Sequence, residues 1–139
     1  VYDGERRVER REAFGEGVLS GRSPAFGVRL TAVEPGGHAV NAAVQASLLG
    51  DEVTLVGHLD DPVFDDLPVE TLSMGDPATV DVYGFDDGDV LLVDPSEDVA
   101  NWSFAAFRAV AGERFASLLS ADVVFWTNWT TFEATPEAL

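Results

Sequence analysis

The sequence predicts an α/β fold that carries a small antiparallel element, and three stretches support that expectation. Residues 27–58 read as strand, glycine turn, helix and strand; residues 78–94 read as a β-hairpin; the residues after 102 return to helix and then strand.

A short helix comes first. From Glu9 to Leu19 the apolar Phe14, Val18 and Leu19 fall at near-helical spacing among arginines and glutamates, and Ser20-Gly21 ends the run. It should be mostly solvated. Gly27 to Val33 then alternates Val28, Leu30 and Ala32 on one side with Arg29 and Thr31 on the other, the period of a half-buried strand. Pro35-Gly36-Gly37 breaks it. His38 through Leu49 is a compact Ala/Val/Leu helix with Gly50 at its carboxyl-terminal cap. Val53 to His58 is β-branched and suits a buried parallel strand.

The hairpin signal lies in Thr79-Val-Asp-Val-Tyr-Gly-Phe85 and Asp89-Val-Leu-Leu-Val-Asp94, which flank Asp86-Asp87-Gly88. Trp102, Phe104, Phe107 and Val110 mark a helix, Arg114 to Leu119 another, and Asp122 to Thr127 a buried strand. There is no internal repeat and no linker-like stretch, so one domain is expected over 1–139. It reads as incomplete. The chain starts without methionine and stops just after a strand, where an α/β sheet would continue.

Composition narrows the function classes. Against 25 acidic residues stand 8 basic ones, all arginine, for a net charge of -17. Such a surface repels phosphate backbones and anionic lipid, which argues against nucleic acid and membrane as partners. At about 1 M salt the Debye length shrinks to about 3 Å and the self-repulsion is screened. The pattern resembles that of haloarchaeal proteins adapted to concentrated salt; an acidic chain that binds a basic partner is the alternative. No cysteine is present and only two histidines, His38 and His58, which excludes thiolate and histidine-rich metal centres. Asp60, Asp61, Asp65 and Asp66 offer oxygen ligands for a hard cation, at a spacing that matches no calcium loop. No apolar run approaches the roughly 18–20 residues that cross a bilayer. The first residues do not form a signal peptide, so the expected compartment is the cytoplasm. There the sequons Asn101-Trp-Ser103 and Asn128-Trp-Thr130 would have no use. Trp102, Trp126 and Trp129 suit core packing or stacking on a sugar ring.

The chemistry-bearing segment is Gly36-Gly37-His38-Ala39-Val40-Asn41. It stands between a strand and a helix, where the helix's first N–H groups point outward with partial positive charge. Two glycines let a ligand approach the backbone, and Asn41 offers a donor and an acceptor. That suits a polyol; the same residues would also serve a tight turn with no ligand.

With Ala42-Ala43, six further residues and Gly50, this segment resembles the first signature of the PfkB, ribokinase-like carbohydrate kinases. In that family a glycine pair and an asparagine at this spacing bind the sugar. Asp51-Glu-Val-Thr-Leu-Val-Gly57-His-Leu-Asp60-Asp61 is similar to the strand and acidic turn that follow, although the signature's final glycine is replaced by Asp60. The 78–94 hairpin resembles the small β lid these kinases close over the sugar, and Pro77-Ala78-Thr79 resembles the start of the lid strand. The resemblance implies a partial three-layer ribokinase-like α/β sheet with an antiparallel lid. It implies transfer of the ATP γ-phosphoryl group, with Mg²⁺, to a sugar or nucleoside hydroxyl. The substrate-binding residues would be Gly36, Gly37, His38, Asn41 and Thr79, with Asp3 the candidate within this chain for the family's upstream sugar-gripping aspartate. The family's catalytic aspartate lies in a Gly-Ala-Gly-Asp segment further on, and no Gly-x-Gly-Asp occurs here, so no catalytic residue is expected in this chain. Two other readings stay open: a non-catalytic module that binds a small polar ligand or pairs with itself through the hairpin sheet, and an unrelated nucleotide-binding α/β domain.

Overall fold

The computed structural model describes residues 1–20 and 25–127. The architecture is mixed α/β, with small antiparallel and parallel sheets, and the chain gathers into two compact units. The first takes Val1–Val33 and Thr79–Asp94; the second takes Glu34–Ala78 and the chain from Pro95. Among the described residues no helix is long and apolar enough to cross a membrane.

In the first unit, β1 (Tyr2–Asp3) and β2 (Arg6–Arg7) form a minimal antiparallel pair, and α1 spans Arg11–Leu19 as the spacing of its apolar residues predicts. The hairpin forms as expected, from β5 (Thr79–Phe85) and β6 (Gly88–Asp94), with Asp86-Asp87 as its two-residue loop. Acidic loop and basic first turn fit together here. The Arg11 N–H donates to Asp87 Oδ1 at 3.0 Å, Arg7 pairs with Asp86 at 2.8 Å, and the Asp86 N–H donates to the Glu9 carbonyl. Register sorts the hairpin's two faces, because directly paired residues point the same way. Phe85, buried, turns toward α1 and meets the Phe14 ring at 5.5 Å; Phe14 also meets Phe26 at 4.9 Å. The pairs Val80–Val93 and Val82–Leu91 take the other face and stand exposed.

Residues 27–33 do not form the strand that their alternation predicts. Gly27 alone makes a bridge, exchanging backbone hydrogen bonds of 2.8 Å with Tyr2, while Val28, Leu30 and Val33 are 62%, 79% and 69% exposed. Alternation specifies a strand only where a neighbouring edge supplies the ladder. Beyond Gly27 the stretch has no such edge among the described residues.

In the second unit, α2 (His38–Leu48) packs its Val40 and Ala43 on Leu55 of β3 (Thr54–Gly57), and these three buried residues centre the core. The helix stops as its glycine predicts. Leu49 caps it, Gly50 takes a φ of 99°, and the N–H groups of Gly50 and Asp51 return to the carbonyls of Ser47 and Ala46, a Schellman closure. Next, β3 leads through a 3₁₀ turn at Pro62–Phe64 to β4 (Glu70–Ser73), a strand absent from the sequence reading; the two pair in parallel, Thr54 opposite Glu70 and Gly57 opposite Ser73. Among the described residues three helices follow: α3 (Glu97–Ala100), α4 (Phe104–Ala111) and α5 (Phe115–Leu119). Ser96 and Ser103 cap α3 and α4 with their hydroxyls. Phe104, Phe107 and Phe115 form one aromatic cluster, and Trp126 joins it at 5.6 Å from the Phe107 ring.

The predicted strand at 122–127 is not formed, and it is not buried: Val123 is 82% and Phe125 63% exposed. Trp126 is held by ring contact with α4 rather than by a ladder. Gly21, Trp129 and the Asn128 sequon lie outside the described residues. Asn101 of the other sequon ends α3, where its side chain donates to the Glu97 carbonyl.

Candidate functional site

Four of the six predicted ligand residues meet at the start of α2. Gly37 precedes the helix with φ 97° and ψ 155°, a conformation that side-chain-bearing residues rarely adopt, and the Asn41 N–H donates the first helical hydrogen bond to its carbonyl at 3.0 Å. A Cβ placed on Gly36 or Gly37 would meet no heavy atom within 4 Å, so the turn opens to solvent. His38 and Asn41, three residues apart, share the exposed face of the helix, while Val40 and Ala43 occupy the buried one. The local pattern follows from the sequence. Apolar residues fix which side of α2 faces β3, and that choice turns Asn41 outward.

Asp3 and Thr79 belong to the first unit, not the second. Asp3 is exposed in β1, opposite Arg6; Thr79 is exposed at the start of β5, opposite Asp94. The structure therefore brings Gly36, Gly37, His38 and Asn41 together and places the other two in a separate body.

A group that the sequence reading missed lies at the carboxyl ends of β3 and β4, the end of a parallel sheet where α/β proteins commonly bind ligands. His58 follows β3 directly and is half-buried. Burial holds its pKa below the ordinary 6.5, against the pull of the Asp98 charge, a hydrogen bond with the Asp98 backbone and the charge of Asp60. The Asp98 carboxylate accepts the Asp76 N–H at 2.8 Å and fills the space where a Cβ of Gly75 would stand. Pro77 and Pro95 near these residues were the only local signals, and neither names a partner.

At the opposite end of the same strands, Arg114 forks onto Glu70, with Nη1 to Oε1 at 2.9 Å and Nη2 to Oε2 at 2.6 Å; Thr54 donates its hydroxyl to the same carboxylate. The guanidinium and the hydroxyl hold the Glu70 carboxyl below its ordinary 4.5. Beside this pair an open depression of about 420 Å³ is bordered by Ser47, Asp51, Glu52, Leu67 and Glu70. It lies by the carboxyl end of α2, away from Gly37. Its rim of carboxylates disfavours an anionic ligand.

Among the described residues no group of three or more His, Asp or Glu side chains is placed to hold a metal ion. The acidic run that follows β3 is put to another use: Asp61 caps the 3₁₀ turn by accepting the Val63 N–H at 2.8 Å. Comparison with family models, curated proteins and solved structures gives no match to this chain.

Proposed function

We propose that the chain is the substrate-binding part of a PfkB-type, ribokinase-like kinase that acts on a sugar or nucleoside hydroxyl. The observation that carries this reading is the turn before α2: a glycine pair open to solvent, Gly37 at φ 97°, and Asn41 on the same exposed face as His38. A backbone without side chains, helix N–H groups and a carboxamide can hold hydroxyl oxygens and fix an acceptor in place, a contribution of positioning. Thr79 and Asp3 belong to the hairpin-bearing unit and are no part of this observation. ATP and Mg²⁺ serve the phosphoryl transfer in such enzymes, but the described carboxylates do not fit a Mg²⁺ site and no Gly-x-Gly-Asp segment is present. No step of that transfer is assigned to these residues. A cytoplasmic, salt-adapted protein is part of the same reading.

Calorimetric titration in about 2 M KCl, where charge repulsion is screened, tests it with a panel of neutral pentoses, hexoses and nucleosides. One member should bind, and Asn41→Ala should weaken that binding by about tenfold or more, the loss of a ligand hydrogen bond. Absence of binding across the panel, or an unchanged affinity in the variant, would overturn the assignment.

A second reading is favoured by a specific surface. Val80, Val82, Leu91 and Val93 are 48–63% exposed on one hairpin face, which suits a non-catalytic module that pairs with a second copy through this sheet. Sedimentation at rising concentration distinguishes the two: a dimer that Leu91→Lys dissolves, without sugar binding, supports the module.

A further inference from the structure

Besides the link at Val33–Glu34, the chain crosses between its two compact units at Ala78–Thr79 and at Asp94–Pro95. On the hairpin side of these two crossings, Thr79 and Asp94 are the terminal pair of the β5–β6 ladder. On the other side, Asp76 is bonded twice to the returning chain. Its N–H donates to Asp98 Oδ2 at 2.8 Å, and its carbonyl accepts the Ser96 hydroxyl at 2.6 Å. Ser96 Oγ also accepts the Val99 N–H and so starts α3. The tie is anchored below. The Gly75 N–H donates to Ser73 Oγ and the Gly75 carbonyl accepts the Asp60 N–H at 3.1 Å, so the ends of both β3 and β4 hold it. A side chain on Gly75, which has φ 124°, would displace the Asp98 carboxylate.

Between the ladder and this tie only Pro77, Ala78 and Pro95 remain, and two of the three have φ fixed by their rings. We propose that Asp76, Ser96 and Asp98 form a hinge clasp, which ties the outgoing and returning chain so that these two crossings act as one short, proline-limited hinge instead of two independent tethers. With the clasp open, the free segments lengthen to include the turn after β4 and the α3 region, and the accessible orientations multiply. The inference stands independently of the sugar-kinase reading, since it uses none of the α2 residues.

The chain has no cysteine, so spin labels can be placed specifically at Gln45→Cys on α2 and Asp89→Cys on β6, both exposed. Pulsed electron resonance then gives the distribution of the distance between units in the full chain. The double variant Ser96→Ala/Asp98→Ala should broaden that distribution about twofold or more, and hydrogen exchange at the Asp76 amide should accelerate about tenfold, as a lost charge-assisted bond requires. Asp98→Asn keeps an acceptor oxygen and should retain the narrow distribution. Amides of Thr54–Gly57 should keep their protection. The clasp is refuted if the distribution is unchanged while the Asp76 amide exchanges faster, or if it broadens only together with loss of protection in β3.

Discussion

Leu30 and Leu55 are both leucines in stretches that read as strands, yet the structure gives them opposite environments. Leu55 is 5% exposed beneath α2, and Leu30 is 79% exposed. Complete burial of a leucine side chain is worth about 1.5–3 kcal/mol, so the one-fifth of Leu30 that is covered contributes about 0.5 kcal/mol or less. Truncating Leu55 adds a cavity term in a core built from only Val40, Ala43 and their neighbours, and Leu55→Ala should cost about 2–5 kcal/mol. With a urea slope of about 2 kcal/mol per molar, Leu55→Ala should lower the unfolding midpoint by about 1–2.5 M and Leu30→Ala by about 0.3 M or less. Far-ultraviolet circular dichroism at one fixed salt concentration, followed alongside tryptophan fluorescence, measures both. If Leu30→Ala costs about 2 kcal/mol or more by the same scale, residues 27–33 are a buried strand as their alternation suggests, and Leu30 is not exposed in the first unit.

His58 makes stability depend on pH in a defined direction. The unfolded chain takes up this proton at about 6.5, whereas burial delays it in the folded state, so stability present above 6.5 is lost as pH falls through the folded value. Urea midpoints from pH 8 down to about 5.5 should fall, and His58→Gln should flatten that slope; an equal slope in the variant would place the effect elsewhere. Glu70 and Asp87, held below 4.5 and 3.8 chiefly by hydrogen bonds from Arg114 and from the Arg11 N–H, act in a lower window: their contribution is present above those values and lost as pH falls through the folded ones. Salt should act on the whole chain. With a net charge of -17, the thermal midpoint should rise between about 0.1 and 2 M KCl as the Debye length contracts, and a midpoint that falls would contradict salt adaptation.

What the sequence made legible was whatever is decided within a few neighbouring residues. Gly50 closes α2 because one residue at φ 99° permits the return bonds from Gly50 and Asp51, and Asp86-Asp87-Gly88 folds the hairpin by the same local logic. Strands depend on a partner that local sequence does not name. Residues 27–33 and 122–127 have the composition of strands but no ladder, whereas Glu70–Ser73 has an unremarkable composition and becomes β4 because the edge of β3 lies beside it. Val28 and Val123 are exposed for the same reason that Leu72 is not: pairing, not propensity, decided which stretch entered the sheet.

The candidate site divides along the same line. Gly36, Gly37, His38 and Asn41 lie together as their sequence spacing suggests, because a glycine pair, a helix start and the burial of Val40 and Ala43 three residues apart fix their geometry within one turn. Asp3 and Thr79 could not be placed relative to them by any local rule, and they fall in the other compact unit. Ser96, Asp98 and Gly75 carried no signal that names their partners, because their arrangement exists only once the chain has left the second unit and returned to it. The tie at Asp76 lies wholly within the second unit, and its residues meet only because the chain re-enters that unit at Pro95.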